Sequence, residues 1–170
     1  MDSLLNELLN NKVLSWDRAI ESTEVWKKER KKIVFTNGCF DILHPGHLCY
    51  LMEAASLGDK LLVAINSDEI ITELKGIGRP VNNEYFRSSM LASLYFVDGI
   101  IVFNDDTPKS LILSLKPDIL VKGGDYDLTT IVGSKEVIEQ GGSVKSLSYI
   151  SGYSTSAIIK KIQKSFVNEL

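Results

Sequence analysis

The chain has 170 residues, 44 % of them apolar and 24 % charged, which suits one domain with a core of its own. A net charge of −3 and a pI near 5.4 argue against a broad nucleic-acid-binding surface, while a local positive pocket stays open. Two cysteines (Cys39 and Cys49) make no disulfide framework, the acidic start from Met1 to Asn10 is no signal peptide, and no apolar run approaches the roughly 18 residues of a membrane span. These features read as a cytoplasmic protein with neither a membrane nor a nucleic acid as partner.

In chain order, residues 1–30 form a helical N-terminal extension. Leu4, Leu5, Leu8 and Leu9 fall at helical spacing, and Ser15 is placed to cap a second helix through Trp26. The cations Lys27, Lys28, Arg30, Lys31 and Lys32 then read as a solvated helix end, with positive charge at the negative pole of the helix dipole. Residues 31–170 alternate. Strands are expected at Ile33 to Thr36, Leu61 to Ile65, Gly99 to Phe103, Ile119 to Val121 and Val144 to Leu147. Helices are expected from about Gly46 to Ser56, Glu84 to Tyr95, Pro108 to Leu115, Ser134 to Gln140 and Ser154 to about Val167. Five apolar strands separated by helices imply right-handed crossovers and a Rossmann-like, doubly wound parallel sheet of the α/β class, in one domain overall. Ligands of such sheets sit beyond the carboxyl ends of the strands.

The segment leaving the first strand holds the only two histidines, in Thr36-Asn37-Gly38-Cys39-Phe40-Asp41-Ile42-Leu43-His44-Pro45-Gly46-His47. They lie three residues apart where a turn enters a helix. The helix mouth supplies free N–H groups and a positive dipole end, Gly46 leaves room for a phosphate against the backbone, and two imidazoles are placed to donate to an oxyanion. Zinc is the competing chemistry, with Cys39, Asp41 and Cys49 nearby. His-x-x-His alone matches structural zinc spacings poorly, and no protein-held metal is expected. Gly76-Ile77-Gly78 follows no strand and lacks a third glycine, so it makes a weak dinucleotide fingerprint.

Other strand ends carry similar features. Asn66-Ser67-Asp68 serves either as a helix cap or as a ligand edge. Leu74-Lys75-Gly76-Ile77-Gly78-Arg79-Pro80 is either a flap over phosphates or an exposed basic loop. Lys122-Gly123-Gly124-Asp125-Tyr126 is either a tight turn or charge and bare backbone at the ligand edge. Ser151-Gly152-Tyr153-Ser154-Thr155-Ser156 either caps the last helix or adds a second phosphate-ready helix start. Arg87, taken alone, is an ordinary surface residue.

At these residues the chain resembles the nucleotidyltransferase superfamily whose signature is His-x-Gly-His, here His44-Pro45-Gly46-His47 after Gly38-Cys39-Phe40-Asp41. More narrowly, the segments 35–44, 66–68, 78–82, 106–108 and 122–126 resemble the adenylyltransferases of D-glycero-β-D-manno-heptose 1-phosphate, over nearly the whole chain from about residue 12. The resemblance implies transfer of AMP from ATP to the heptose 1-phosphate with release of pyrophosphate, Mg2+ travelling with ATP, a stand-alone form of the enzyme and a homodimer. It implies that His44 and His47 contact the triphosphate and the transition state. Lys75, Arg79 and Arg87 would serve phosphates. Thr36, Asn37, Gly38, Phe40, Asp41, Gly46, Lys122, Gly123, Asp125, Tyr153, Ser154 and Thr155 would shape the nucleotide site, with Asn66, Asp68 and Tyr126 toward the acceptor. Phe86 precedes Arg87 where family members often carry an acidic residue, and Ser154-Thr155-Ser156 replaces Ser-Thr-Thr. The alternative within the superfamily is a cytidylyltransferase for glycerol 3-phosphate or another polyol or amino-alcohol phosphate. Against it, Tyr149-Ile150-Ser151-Gly152 lacks the arginine usual there. A nucleotide-binding regulatory module without turnover is the alternative outside the enzymes.

Overall fold

The computed structural model describes residues 2–124, 126–148 and 152–167. Helices α1 (Asp2–Lys12) and α2 (Trp16–Lys28) precede β1 (Ile33–Gly38). They are followed by α3 (Pro45–Ala55), β2 (Lys60–Asn66), α4 (Asp68–Lys75), α5 (Glu84–Ala92), β3 (Gly99–Phe103) and α6 (Lys109–Leu115). After these come β4 (Ile119–Gly123), a 3-10 turn over Leu128–Thr130, α7 (Ser134–Glu139), β5 (Ser143–Leu147) and α8 (Thr155–Val167).

All strand pairs are parallel, in the order β3-β2-β1-β4-β5. Strand residues alternate between the two faces, because successive Cβ atoms point to opposite sides of a pleated strand. Val34, Leu61, Val63, Ile65 and Ile100 join Tyr50, Leu51 and Ala54 of α3, Leu91 of α5 and Leu9 of α1 in one core. Ile33, Phe35, Leu62, Ala64 and Ile101 join Ala19 of α2, Leu111, Ile112 and Leu115 of α6 and Val137 of α7 in the other. Phe35 is fully buried, which removes enough apolar surface to contribute about 2–3 kcal/mol. The expected doubly wound sheet is therefore present, with the chain reversing direction across the sheet between β1 and β4.

The first 30 residues cover this sheet. Leu14 donates its amide to Ile100 O at 2.8 Å beside an isolated parallel bridge from Val13 to Ile100, so the link between α1 and α2 extends the β3 edge. Ser15 caps α2 by accepting Arg18 N–H. Lys27, in the basic run read as solvated, folds back to donate to Leu115 O at the end of α6, at 2.8 Å.

Two boundaries differ from expectation. Residues 68–75 form a two-turn helix capped by Ser67 Oγ, with Ile70 and Ile71 buried, so Lys75 ends a helix. Ile70, Ile71 and Leu74 do share one helical face, but a segment of two turns is easily read as part of the loop that follows it. Helix α5 stops at Ala92, because Val97 must turn back into the core.

Candidate active site

Local backbone geometry builds the histidine loop. Phe40 stands at φ +46°, a left-handed conformation that costs a non-glycine residue about 1–3 kcal/mol. Its ring is 5 % exposed and packs against His47, centroids 5.1 Å apart at 59°. A Cβ on Gly38 would come within 3.1 Å of that ring, so glycine at the end of β1 makes room for Phe40.

His44 is the N-cap of α3. It is extended at φ −142°, ψ 166°, and Pro45 opens the first turn without a missing donor mattering there. His44 Nδ1 accepts the His47 amide at 3.3 Å, so the neutral His44 ring carries its proton on Nε2. The two rings stack with centroids 3.7 Å apart and planes inclined by 17°. Gly46 has a reason beyond the one read from sequence: a Cβ there would stand 3.1 Å from His44 Cε1 and Nδ1 and displace the ring.

Both imidazoles are held neutral. Burial lowers the His44 pKa, opposed by its own backbone. His47 falls to about 4, mainly by burial and then by the neighbouring His44 ring; the Ile42 carbonyl opposes the fall without completing a hydrogen bond. His47 Nδ1 is buried and makes no hydrogen bond to the described residues.

A cleft of about 380 Å³ opens at the carboxyl ends of β1 and β4, where the sheet reverses its winding. Asn37, Gly38, Phe40, Asp41 and His47 line one bank. Lys122, Gly123, Tyr126, Ser154 and Thr155 line the other, and Lys75 and Arg79 complete the wall. Lys122 donates to Asn37 O and Oδ1, both at 3.2 Å, and burial lowers its pKa, with Cys39 opposing.

Asp41 is 2 % exposed and works as a clamp. It accepts Arg79 Nε at 2.6 Å, Val81 N at 2.8 Å and Asn82 N at 2.9 Å, while Asn82 Nδ2 donates to its carbonyl. This ties the segment after α4 to the histidine loop. Gly76 ends α4 at φ +89°, a conformation glycine takes at no steric cost.

Several expected site residues stand apart from the cleft wall. His44 backs His47 through the stack. Thr36 is fully buried, bonded to the Tyr50 hydroxyl at 2.5 Å, and Tyr50 in turn donates to Val121 O at 3.2 Å. Tyr153 is half exposed, its Cβ near Gly46. Asn66 is buried and accepts the Cys39 thiol at 3.8 Å, and Asp68 pairs with Arg87 at 2.7 Å.

Arg87, read by itself as an ordinary surface residue, is instead 1 % exposed and spends its guanidinium on protein oxygens. Asp125, together with Tyr149, Ile150 and Ser151 of the last motif, lies outside the described residues. Cys39, weighed above only as a zinc ligand, and Ser156 of the last motif also line the cleft, as does Tyr50, which the sequence reading did not name. Tyr50 alone carried a signal, three residues beyond His47 and so on the same helix face.

Residues 35–161 match the family model described as cytidylyltransferase-like. The chain belongs to the cytidylyltransferase-like family. As a member of it, the chain is a nucleotidyltransferase. It is 50 % identical over 149 residues to the bifunctional protein HldE of Marinomonas sp. (strain MWYL1), covering 88 % of this chain and 31 % of that protein. It is 50 % identical over 151 residues to HldE of Haemophilus ducreyi, covering 89 % and 32 %. The chain thus spans about a third of the length of these relatives. Among solved structures, the lipopolysaccharide core biosynthesis protein from Thermoplasma volcanium GSS1 is similar, with TM-score 0.59 and 30 % identity over 73 % of this chain and 99 % of that one. No helix of the described residues is long and apolar enough to cross a membrane.

Proposed function

We propose that this chain transfers AMP from ATP to D-glycero-D-manno-heptose 1-phosphate, giving ADP-heptose and pyrophosphate. The observation that carries nucleotidyl transfer is the stacked His44–His47 pair at the mouth of α3, beside Lys75, Arg79 and Lys122 in one cleft. The acceptor and the base rest on the resemblance of the five segments and on half identity to HldE over 88 % of the chain.

In this reading an oxygen of the sugar phosphate attacks the α-phosphorus of ATP in line. The new O–P bond forms as the bond to the bridging oxygen of the β-phosphate breaks, and pyrophosphate leaves with that electron pair. The nucleophile is already ionised near neutral pH, so the chain's task is positioning and charge stabilisation. His47 donates its ring N–H to an oxygen of the transferring or leaving phosphate, with the His44 ring stacked behind it to hold it in place. Lys75 and Arg79 close over the pyrophosphate, and Lys122 faces the nucleotide. Asn37, Gly38, Phe40, Ser154 and Thr155 shape the nucleotide pocket, with Tyr126 toward the acceptor.

Magnesium enters as part of the substrate, MgATP. The cleft's wall of Lys, Arg, His and hydroxyl side chains suits a chelated triphosphate. Among the described residues its one carboxylate, Asp41, is already engaged, and no three metal-binding side chains gather. With this reading go a cytoplasmic setting, suited to reduced Cys39 and Cys49, and a homodimeric assembly.

The test pairs MgATP or MgCTP with a panel of acceptors: the heptose 1-phosphate, other sugar 1-phosphates and glycerol 3-phosphate. Pyrophosphate release is the readout. Rapid release is expected for ATP with the heptose 1-phosphate. Release only for CTP with a polyol phosphate would overturn both base and acceptor. Tight nucleotide binding with no release for any acceptor would leave a regulatory module.

A further inference from the structure

Arg87 lies on α5, yet its guanidinium joins three other segments. Nη1 donates to Cys39 O at 2.8 Å, just beyond β1. Nη2 donates to Asn66 O at 2.8 Å, at the end of β2, and to Asp68 Oδ1 at 2.7 Å. Nε donates to Asn82 O at 3.0 Å, beyond the flap. Asn82 and Cys39 are joined a second time through Asp41, which takes the Asn82 amide and Arg79. The result is a closed circuit between the loop that carries the histidines and the segment that carries Lys75 and Arg79.

We propose that Arg87 is a positioning residue for nucleotidyl transfer: it fixes the spacing between the histidine loop and the phosphate flap. The proposal rests on the reading of the cleft as a nucleotidyltransferase site. A rigid planar fork with five donors is the side chain able to hold three carbonyls in fixed directions at once. Lysine offers three donors around one freely rotating point. Stability alone does not call for this choice, since buried charged networks are commonly replaced by apolar residues without loss. What an apolar residue cannot do is hold the ends of β1, β2 and the flap in register. A displacement of about 1 Å among reacting groups is worth ~10²-fold in rate.

The test compares Arg87→Ala and Arg87→Lys with the parent. It measures turnover per folded molecule, the dissociation constant of a non-hydrolysable ATP analogue, and amide hydrogen exchange at Val81 and Asn82. Arg87→Ala is expected to lower kcat ~10–100-fold while affinity for the analogue moves less than about 3-fold. Exchange at both amides accelerates, free guanidinium ion restores part of kcat, and Arg87→Lys recovers neither readout. Parent-like turnover per folded molecule, an equal loss in kcat and affinity, or unchanged exchange would each overturn the proposal. Should neither variant fold, Asp68→Ala removes one acceptor of the clamp and is expected to speed exchange at Val81 and Asn82; unchanged exchange there overturns the proposal too. Exchange needs no turnover, so an absence of pyrophosphate release in the parent would count against the assigned reaction and leave the clamp to be judged separately.

Discussion

The two rims of the sheet solve the same backbone problem in opposite ways. Where the strands begin, aspartates take the leading amides: Asp59 accepts Lys32 N at 2.8 Å, Asp118 accepts Ile33 N at 2.7 Å, and Asp98 accepts Leu61 N at 2.8 Å while Lys60 pairs with it. In the cleft where β1 and β4 end, the basic and imidazole side chains are His47, Lys75, Arg79 and Lys122, with His44 stacked behind His47. The one carboxylate lining the cleft among the described residues, Asp41, is taken by Arg79 and two amides. At the first rim these amides are satisfied from within the chain, while the cleft at the second leaves donors over for an anion. Parallel strands make this asymmetry systematic, since every strand presents its amino end to one rim and its carboxyl end to the other.

The contrast is broken most severely at Asp41, where the two logics meet. Asp41→Ala leaves a partly buried arginine and two amides without their acceptor and is expected to cost about 3 kcal/mol or more of stability, read from urea unfolding, along with turnover. Stability within about 1 kcal/mol of the parent would mean the clamp is not formed in solution.

His47→Ala isolates the donor rim. It is expected to lower kcat by ~10²–10³, the loss seen when one oxyanion donor is removed, about 2.7–4 kcal/mol. Near-parent turnover would reject the histidine pair as the charge cradle.

The pH dependence sharpens the comparison. His47 titrates at about 4 in the folded chain against an ordinary value of 6.5, so below 6.5 the unfolded chain binds the extra proton. Stability is full above that pH and declines as the pH falls toward 4, by up to about 3 kcal/mol, with His44 adding in the same direction. His47→Gln should flatten that decline in thermal melts between pH 4 and 7. An unaltered slope would show that the ring is not desolvated as described.

The smallest effect belongs to the acceptor rim. Asp118→Ala removes the partner of the Ile33 amide and is expected to cost about 1–3 kcal/mol of stability with turnover per folded molecule unchanged. A fall in turnover as large as that of His47→Ala would erase the distinction between the rims.

The fold was legible because its signal is local and repeated. Runs such as Ile33-Val34-Phe35 and Leu61-Leu62-Val63 are buried on both faces, and only a covered parallel sheet takes such strands. Helix α4 escaped because it is only two turns long, although Ile70, Ile71 and Leu74 fall on one helical face, and because its cap Ser67 reads equally well as a ligand. Tyr50 was missed as a cleft residue, and Cys39 was weighed only for zinc, because neither residue type announces a phosphate site.

By itself the sequence determined the histidine pair. Two rings three residues apart at a helix start, with Pro45 and Gly46 between them, meet whatever surrounds them, because their spacing is set by one helical turn. Tertiary structure alone decided what Asp41 and Arg87 do. Their partners at positions 39, 66, 79, 81 and 82 come from separate strand ends and loops, and only the packing of α5 against the sheet brings those carbonyls and amides within reach of one carboxylate and one guanidinium.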